Sequence, residues 1–435
     1  MELARFSMKR YVQNARRVGS RLRRSLSEYR FFAYLAVLGP GIIAANAGND
    51  AGGIATYSSA GSAYGYSLLW TFIPMTISLI VVQEMCIRMG VVTGQGLADL
   101  IREHFGVRWT AFVMLALLSA NTGVIISEFV GIGQASELFG IPKYFAIPIA
   151  GAVIWWIVVK GSAKSVESIF LVMSLVFFTY VISAFVAGPN WHEVGASFLK
   201  PSFSADTGYL FTVMALIGTT IAPFMQIYVQ SAAVEKGMDK EDLALARADV
   251  IIGMTFADII AAFIVICTAA TLYATGVNNI DSAATAAESL VPVAGVYAKY
   301  LFAIGLFGAS MLAMAVVPLA TAYSLSEALG FEKGLSRSFR EAPIFLGIFT
   351  ALIILGGVVA MIPSIPPFTL LLVAQSINGI LLPVLLIAIL RLINNPEIMG
   401  EYCNSTWFNV LAYGTTFIVS ALSITLIGKS IADMF

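Results

Sequence analysis

The stretch Gly48-Asn49-Asp50-Ala51-Gly52-Gly53 interrupts an apolar run that extends from about residue 32 to residue 63. A carboxylate at the depth of a bilayer core costs about 2.5 kcal/mol or more, so such residues usually face a water-filled site. Each glycine weakens a helix by about 1 kcal/mol relative to alanine. Unwound turns of this kind free backbone carbonyls for ions near the membrane midplane. The stretch therefore predicts a broken helix with a cation site at Asp50, and a glycine kink around a structural aspartate is the alternative.

A second interruption, Gly218-Thr219-Thr220-Ile221-Ala222-Pro223, lies within the apolar run 208–233. Because Pro223 has no backbone N–H, it frees a carbonyl near Thr219. That carbonyl and the hydroxyls of the two threonines are candidate oxygen ligands, whereas Ala222 has no donor atom and can only provide space. Met225 offers a thioether, with packing as the alternative role. We interpret the chain as organised around these two breaks.

The composition identifies a polytopic membrane protein. The 435 residues are 59% hydrophobic and 11% charged, with a mean hydropathy of +0.87, whereas soluble domains carry about 25% charged residues. Lys plus Arg and Asp plus Glu number 25 each, so the net charge implies no nucleic-acid partner. The three cysteines have no zinc or disulfide spacing. Both histidines lie outside the apolar runs, which excludes a histidine-based metal site in the membrane.

About eleven apolar runs are long enough to cross a bilayer, since a span needs about 20 apolar residues. They are, approximately, 32–63, 66–89, 109–137, 144–159, 166–187, 208–233, 247–275, 297–327, 342–362, 367–393 and 407–431. The interrupted spans are the first and the sixth. That spacing is what an inverted repeat of five plus five helices produces. We therefore predict an all-α membrane protein with one transport domain, residues 32–435, preceded by a basic tail, residues 1–31.

Basic residues predict the orientation. Nine of them precede the first span, and more follow the second, fourth, sixth and eighth spans, whereas the opposite loops carry few. By the positive-inside rule the N-terminus is cytoplasmic, and an odd number of spans places the C-terminus outside. The tail is too long and basic for a cleaved signal peptide. It acts as a topology signal or, alternatively, as an amphipathic helix on anionic lipid.

Other polar residues inside the runs are candidates for an ion or proton pathway. The carboxylates are Glu84, Glu128, Asp249 and Asp258. Intramembrane acids have a transport role by default, but each of these could instead join helices or line a vestibule. Glu128, in the middle of its span, is the strongest candidate.

The tenth span contains Gln375, Ser376 and Asn378 within four residues. Three polar side chains so close together in an apolar run predict a wet surface. Hydrogen bonding between helices is the alternative.

Several motifs match those of one known family across nearly all of the hydrophobic chain. They are Gly39-Pro40-Gly41 with Asp50-Ala51-Gly52-Gly53, Val92-Thr93-Gly94-Gln95-Gly96-Leu97-Ala98, Glu128-Phe129-Val130-Gly131, Ala374-Gln375 with Leu382-Pro383, and Asn395-Pro396 with Ile398-Met399-Gly400. Together they resemble the Nramp family of divalent-metal transporters. The resemblance implies a LeuT-type fold with eleven or twelve spans and alternating access. It also implies that Asp50 is the central metal ligand, with the Thr219 carbonyl and Gln375 beside it.

The chain departs from the family pattern at four positions. Gly53 stands where the family has an asparagine, Ala222 where it has the metal-binding methionine, Gln230 where it has a histidine, and Ile125 where it has an aspartate. Loss of the thioether removes a soft ligand that favours transition metals. A larger site lined by oxygen suits Mg²⁺, which keeps several waters. The pattern resembles the Nramp-related magnesium transporter branch.

We therefore expect uptake of Mg²⁺, with Mn²⁺ also accepted, without coupling to protons and without a cofactor. A membrane potential provides about 2.3 kcal/mol per charge per 100 mV, or about 4.6 kcal/mol for a divalent ion. The main alternative is a proton-coupled Mn²⁺/Fe²⁺ symporter, in which Glu128 and Gln230 belong to a proton or ion pathway. A channel is a further alternative, because conduction and uncoupled transport would use the same residues. A sodium-coupled amino-acid symporter conflicts with Asp50, which would repel a substrate carboxylate. An intramembrane enzyme would need a nucleophile–base pair or a cluster of metal ligands near the midplane, and the sequence has no histidine or cysteine set for one.

Overall fold

The computed structural model describes residues 40–160, 178–334, 337–362 and 366–432, without the side chains of Pro40 and Val293. The predicted basic tail, residues 1–31, lies outside the described residues, as do the beginnings of the first and fifth predicted spans. All regular structure in the described residues is helical. The helices are α1 Pro40–Gly48, α2 Ala51–Tyr64, α3 Phe72–Thr93, α4 Leu97–Leu138, α5 Lys143–Lys160, α6 Phe178–Ala187, α7 Trp191–Leu199, α8 Thr207–Thr220, α9 Pro223–Glu235, α10 Leu243–Thr271, α11 Ala283–Ala287, α12 Val291–Ala294, α13 Ala298–Leu329, α14 Pro343–Ala360, α15 Pro367–Ile393, α16 Pro396–Met399 and α17 Thr406–Ala432.

Within the described residues, nine helical segments are long and apolar enough to cross a membrane. They correspond to the second to fourth and sixth to eleventh predicted spans, with α8 and α9 together forming the sixth. The first predicted span is divided between α1 and α2, and α6 belongs to the fifth. Gly106 (φ 75°, ψ 168°) has non-helical backbone angles and divides α4 into a short segment before it and a long segment after it. The long segment begins close to residue 109, where the third span was predicted to begin.

Both predicted breaks are present. Residues 49 and 50 separate α1 from α2, and residues 221 and 222 separate α8 from α9. Pro223 is the first residue of α9, where its missing N–H and fixed φ are well tolerated. Ala222 precedes it in an extended conformation (φ −62°, ψ 136°). The proline therefore ends one helix and begins the next without a buried donor being lost.

The broken helices lie at the centre of the described structure, where they pack against α4, α10, α13 and α15. Their side chains are almost all buried, whereas α5, α14 and α17 expose large apolar side chains such as Trp156, Ile354 and Phe417. Exposed apolar side chains on outer helices are what a lipid environment favours. The architecture therefore encloses both breaks within a ring of membrane-spanning helices.

Glycine brings α8 and α15 into backbone contact beside the second break. A Cβ on Gly218 would lie 1.9 Å from the carbonyl oxygen of Gln375 and 2.5 Å from the backbone nitrogen of Gly379. A Cβ on Gly379 would lie 2.6 Å from the carbonyl oxygen of Met214. Small residues at such crossings allow membrane helices to approach closely. This contact holds the backbone of Gln375 against the second break.

Glu84, one of the predicted intramembrane acids, forms a buried ion pair with Arg88 on its own helix and a partly exposed pair with Arg247 of α10. Its carboxylate lies 2.9 Å from the Arg88 guanidinium and 2.6 Å from Arg247 Nε. Arg88 also donates to the carbonyl oxygen of Tyr402 at 2.8 Å and to Asn404 Oδ1 at 2.5 Å. The cluster therefore ties α3 to α10 and to the segment that precedes α17, which matches the helix-joining alternative for Glu84.

We expect Glu84→Ala to destabilise the protein by about 3 kcal/mol or more, because it leaves the charge of Arg88 buried without its partner. Arg88 is only 4% exposed. Thermal unfolding of the purified protein in detergent measures the effect. The matched control is Glu332→Ala, which breaks an exposed pair with Arg337 worth about 0–1 kcal/mol. Equal unfolding temperatures for the two variants would contradict the prediction.

Candidate cation site

Asp50 lies at the first break, directly before α2. Its Oδ1 accepts a hydrogen bond from the backbone N–H of Gly53 at 2.6 Å, so the carboxylate caps the helix N-terminus, where negative charge is favoured. Gln375 Nε2 donates to Oδ1 at 3.1 Å and to Oδ2 at 3.2 Å. Asp50 as a whole is only 1% exposed. A buried carboxylate is thus held by backbone and amide donors at the centre of the molecule.

Oxygen atoms from both breaks converge at Gly53. A Cβ on this residue would lie 2.9 Å from Thr219 Oγ1, 3.0 Å from the carbonyl oxygen of Gly48 and 3.3 Å from Asp50 Oδ1. Thr219 Oγ1 itself donates to the Gly48 carbonyl at 3.5 Å. Because Pro223 has no N–H, the Thr219 carbonyl lacks its usual partner in the helix. The two breaks therefore form one cluster of carboxylate, carbonyl and hydroxyl oxygens.

Gly52, next to the first break, permits a close contact between helices. A Cβ on Gly52 would lie 2.1 Å from Gln375 Nε2, so only glycine lets that amide reach Asp50. Thr219, Ala222 and Gln375 are each 2% exposed or less. The site is therefore closed in this conformation. Neighbouring oxygen and amide atoms occupy the space that side chains larger than glycine would take.

Sulfur reaches the first break from a position other than Ala222. The methyl group of Ala222 has no donor atom, as noted from the sequence. The Met225 Sδ, one turn along α9, would lie 3.3 Å from a Cβ on Gly48. Met225 is 1% exposed and therefore packs its thioether on the backbone of the break.

Glu128 lies beside Asp50. Its Oε2 accepts from the backbone N–H of Ala51 at 3.1 Å, and Ser127 Oγ contacts its Oε1 at 3.4 Å. Gly131 permits this approach, because a Cβ there would lie 2.5 Å from the Cβ of Ala51. Two carboxylates from different helices thus bind the first turn of α2. The structure brings the strongest pathway candidate to the break itself.

Gln230 does not reach this site. It lies eight residues beyond Ala222, about 12 Å along the helix axis, and its Nε2 donates to the Gln95 carbonyl at 3.0 Å. The remaining predicted acids also lie apart. Asp249 accepts from the backbone N–H of Gly41 at 2.7 Å, and Asp258 accepts from Thr76 Oγ1 at 2.6 Å.

The structure adds residues that we did not select from the sequence. Tyr57 places its hydroxyl 3.3 Å from Thr220 Oγ1, and Asn49 donates to the Ala257 carbonyl at 3.2 Å. Tyr57 follows Asp50 by seven residues, which is two helical turns, so helical periodicity could have identified it. Glu327, 1% exposed, accepts from Ser231 Oγ at 2.8 Å and lies 3.0 Å from Lys333 Nζ. No local pattern distinguishes Glu327 from a solvated helix end.

Among the described residues, no group of three or more His, Cys, Asp or Glu side chains forms a metal cluster. The donor set at the breaks is one carboxylate with a second nearby, together with neutral oxygens and the Met225 thioether, which packs on the backbone of the first break. Hard divalent cations such as Mg²⁺ and Ca²⁺ bind such oxygen atoms. The oxygens of the site are therefore of the kind that binds a divalent cation.

Comparisons with known proteins agree with the motifs and the architecture. Residues 41–429 match the family model described as natural resistance-associated macrophage protein-like. The chain is 26% identical over 420 residues to "Divalent metal cation transporter MntH" of Deinococcus radiodurans, covering 94% of this chain and 93% of that one. It is 28% identical over 385 residues to the protein of that name from Caldanaerobacter subterraneus, covering 86% and 88%.

Solved structures share the fold. The Eremococcus coleocola manganese transporter superimposes with a TM-score of 0.76 at 19% identity, covering 94% of this chain and 89% of that one. MhsT in complex with L-phenylalanine gives a TM-score of 0.59 at 15% identity, covering 89% and 97%. These similarities confirm the predicted LeuT-type fold. Because the family model spans nearly the whole chain, from the residue after Pro40 to the last turn of α17, the chain belongs to the Nramp family.

Proposed function

We propose that this protein is a secondary transporter that carries divalent cations, mainly Mg²⁺ and also Mn²⁺, by alternating access and without coupling to protons. Its family and the divalent metal cation transporters among its relatives support the coarser part of this proposal. The observation that carries the finer part is the convergence at Gly53 of Thr219 Oγ1, the Gly48 carbonyl and Asp50 Oδ1. Oxygen atoms meet there, and the nearby Ala222 contributes no soft ligand.

In this proposal five residues form the metal site. Asp50 supplies the negative charge, and the Thr219 carbonyl and the Gln375 side chain supply neutral oxygens. Gly53 and Ala222 supply room for the waters that Mg²⁺ retains, since this ion sheds its hydration shell reluctantly. The closed site must widen to admit them, and the breaks at residues 49–50 and 221–222 are where the helices can bend.

The absence of proton coupling follows from two side chains. Ile125 and Gln230 cannot exchange protons near neutral pH, and Gln230 contacts the Gln95 turn rather than the site. The second candidate function is a proton-coupled Mn²⁺ symporter. The hydrogen bond from the backbone N–H of Ala51 to Glu128 Oε2 favours the symporter. It places Glu128 next to Asp50, so that a proton bound by Glu128 would lie beside the metal site.

We place the protein in the plasma membrane with its N-terminal tail, residues 1–31, in the cytoplasm and its C-terminus outside. Residues 32–435 form one transport domain. The distribution of basic residues supports this orientation. With an inside-negative potential, a divalent cation moves inward with about 4.6 kcal/mol per 100 mV.

Transport by purified protein in liposomes tests the function directly. Mg²⁺ is added outside under an inside-negative potential, with separate reporters for Mg²⁺ and pH in the lumen. Mg²⁺ entry without acidification of the lumen is the expected result. Mn²⁺ entry accompanied by protons, or no entry of Mg²⁺, would instead support the symporter and make Glu128 the residue to test next.

We expect Ala222→Met to shift the preference of the protein from Mg²⁺ toward transition metals, because a thioether would return to the second break. A contact worth about 1.4 kcal/mol changes the ratio of the two affinities about tenfold. Competition between Mg²⁺ and radioactive Mn²⁺ uptake measures that ratio. Ala222→Leu controls for side-chain size. Mg²⁺ that competes equally well in wild type and in Ala222→Met would refute the selectivity argument.

A further inference from the structure

The side-chain amide of Gln375 faces the site with its nitrogen. Nε2 donates to both oxygens of Asp50, while Oε1 points the other way and accepts from Asn378 Nδ2 at 3.0 Å. Gln375 and Asn378 are one turn apart on the same face of α15, and both are fully buried. In this arrangement the hydrogens of an amide N–H₂ group, which carry only partial positive charge, lie next to the carboxylate, and the oxygen that could bind a cation is held away from it.

Asn378 has an atom without a partner in this arrangement. Its Oδ1 is buried and has no hydrogen-bond partner among the described residues. A buried unpaired carbonyl loses the hydrogen bonds it would make in water, which costs free energy. Such an orphan atom in a native site calls for an explanation, and the neighbouring amide of Gln375 supplies one.

We propose that Gln375 and Asn378 form a paired amide switch, which rests on the proposed cation transport. In the empty site the amides stand as described, and the Gln375 N–H₂ group donates hydrogen bonds to Asp50. When a divalent cation binds, both amides rotate by half a turn. Gln375 Oε1 then faces the cation, and Gln375 Nε2 donates to Asn378 Oδ1. The rotation replaces the bond from Asn378 Nδ2 to Gln375 Oε1 with one from Gln375 Nε2 to Asn378 Oδ1, and the cation replaces the two bonds from Gln375 to Asp50. The carbonyl of Asn378 is thus paired only when the cation is present, and Asn378 Nδ2 then takes the position that this carbonyl held.

The surrounding backbone restricts the change to side-chain torsions. Gly218 lies in backbone contact with the Gln375 carbonyl, and Gly379 lies in contact with Met214. The α15 backbone therefore cannot shift toward α8 without a clash. The terminal torsion of Gln and Asn is a broad, roughly two-fold rotor, so the rotation itself is inexpensive. Asn378 touches no cation in this scheme and acts as a positioning residue for Gln375.

The charge and shape of the residue at position 378 make the switch testable. Asn378→Asp keeps the shape, but its carboxylate can only accept, so it favours the Gln375 orientation that binds the cation. Asn378→Leu removes the partner in both orientations. We therefore expect Asn378→Asp to tighten Mg²⁺ binding about fivefold or more, since hydrogen bonds to charged groups are the stronger ones. We expect Asn378→Leu to change affinity by less than about twofold while lowering thermal stability, because it leaves Gln375 unpaired in both states.

Calorimetric titration of the purified full chain with MgCl₂, and separately with MnCl₂, measures these affinities. The control for the added charge is the same pair of proteins in a Gln375→Leu background. The switch requires the tightening to disappear there, as a double-mutant cycle reveals for coupled residues. Equal tightening in both backgrounds, or none with Gln375 present, would overturn it.

A second measurement avoids any change at residue 378. The infrared difference spectrum between Mg²⁺-bound and empty wild-type protein is expected to contain a side-chain amide carbonyl band that shifts on binding and is absent in Gln375→Leu. An unshifted band would refute the switch. Wild-type protein that binds Mn²⁺ but not Mg²⁺ would refute the magnesium proposal alone, because the titrations with MnCl₂ still decide the switch. Protein that binds neither ion would refute both.

Discussion

Asp50→Ala is expected to abolish Mg²⁺ uptake into liposomes while the protein remains folded. The carboxylate is the charged group on which the oxygens of both breaks converge, and neutral oxygens alone bind a divalent cation weakly. The variant also loses the bond to the Gly53 N–H, a helix cap worth about 1 kcal/mol. That loss is small compared with the removal of the Asp50 charge from the break.

Two further variants separate the charge from the cap. Asp50→Asn keeps a good capping side chain of the same shape and removes the charge, so it should also lose uptake. Asp206→Ala removes the cap of α8, where the carboxylate accepts from the Tyr209 N–H at 3.1 Å, far along the chain from the breaks. It should retain uptake with a modest loss of stability. Near-normal uptake by Asp50→Asn would show that the aspartate is structural, as in the glycine-kink alternative.

The positions of the breaks could be predicted from sequence because their signals are local. Glycines flanking an acid and a proline inside an apolar run both weaken the helix within a few residues. The nine spans found in the described residues were predictable for a similar reason, since bilayer thickness sets the length of every span. Helix ends were less predictable. Gly106 adopts a positive φ that breaks α4, so a short helical segment from Leu97, which was not predicted, precedes the predicted span at residue 109.

The contacts of the site depended on pairs of residues far apart in the chain. Nothing near Gln375 in sequence indicates that its nitrogen faces Asp50 and its oxygen faces Asn378. The polar cluster on α15 was ambiguous between a wet surface and a hydrogen-bonded contact, and the structure places Gln375 and Asn378 in hydrogen bonds that reach the first break. Gln230 was linked to a pathway by family resemblance alone, and its helix carries it about two turns from the breaks.

The prominence of close glycine contacts is a further feature that sequence periodicity does not reveal. From the sequence, glycine at the first break was interpreted as a residue that weakens the helix. In the structure Gly52 and Gly218 instead allow Gln375 to approach two helices at once, through its amide and through its backbone carbonyl. A glycine in an apolar helix can serve either purpose, and only the neighbouring helix decides which.

Gly218→Ala is accordingly expected to impair folding and uptake severely, although the change adds a single methyl group. The new Cβ would lie 1.9 Å from the Gln375 carbonyl oxygen and 2.5 Å from the Gly379 nitrogen. Both neighbours are backbone atoms, so neither can rotate away, and α8 must separate from α15. Overpacking of this kind costs about 1–3 kcal/mol and sometimes more. Thermal unfolding and Mg²⁺ uptake of the purified variant measure the two effects.

Gly414→Ala is the matched control, because a Cβ on that glycine of α17 has no neighbour within 4 Å. Alanine favours a helix over glycine by about 1 kcal/mol, so this variant should unfold at the wild-type temperature or slightly above it and transport normally. If Gly218→Ala behaved like Gly414→Ala, the crossing of α8 and α15 would not be rigid. The backbone of Gln375 could then shift when a cation binds, and rotation of its amide would no longer be the simplest route by which an oxygen reaches the ion.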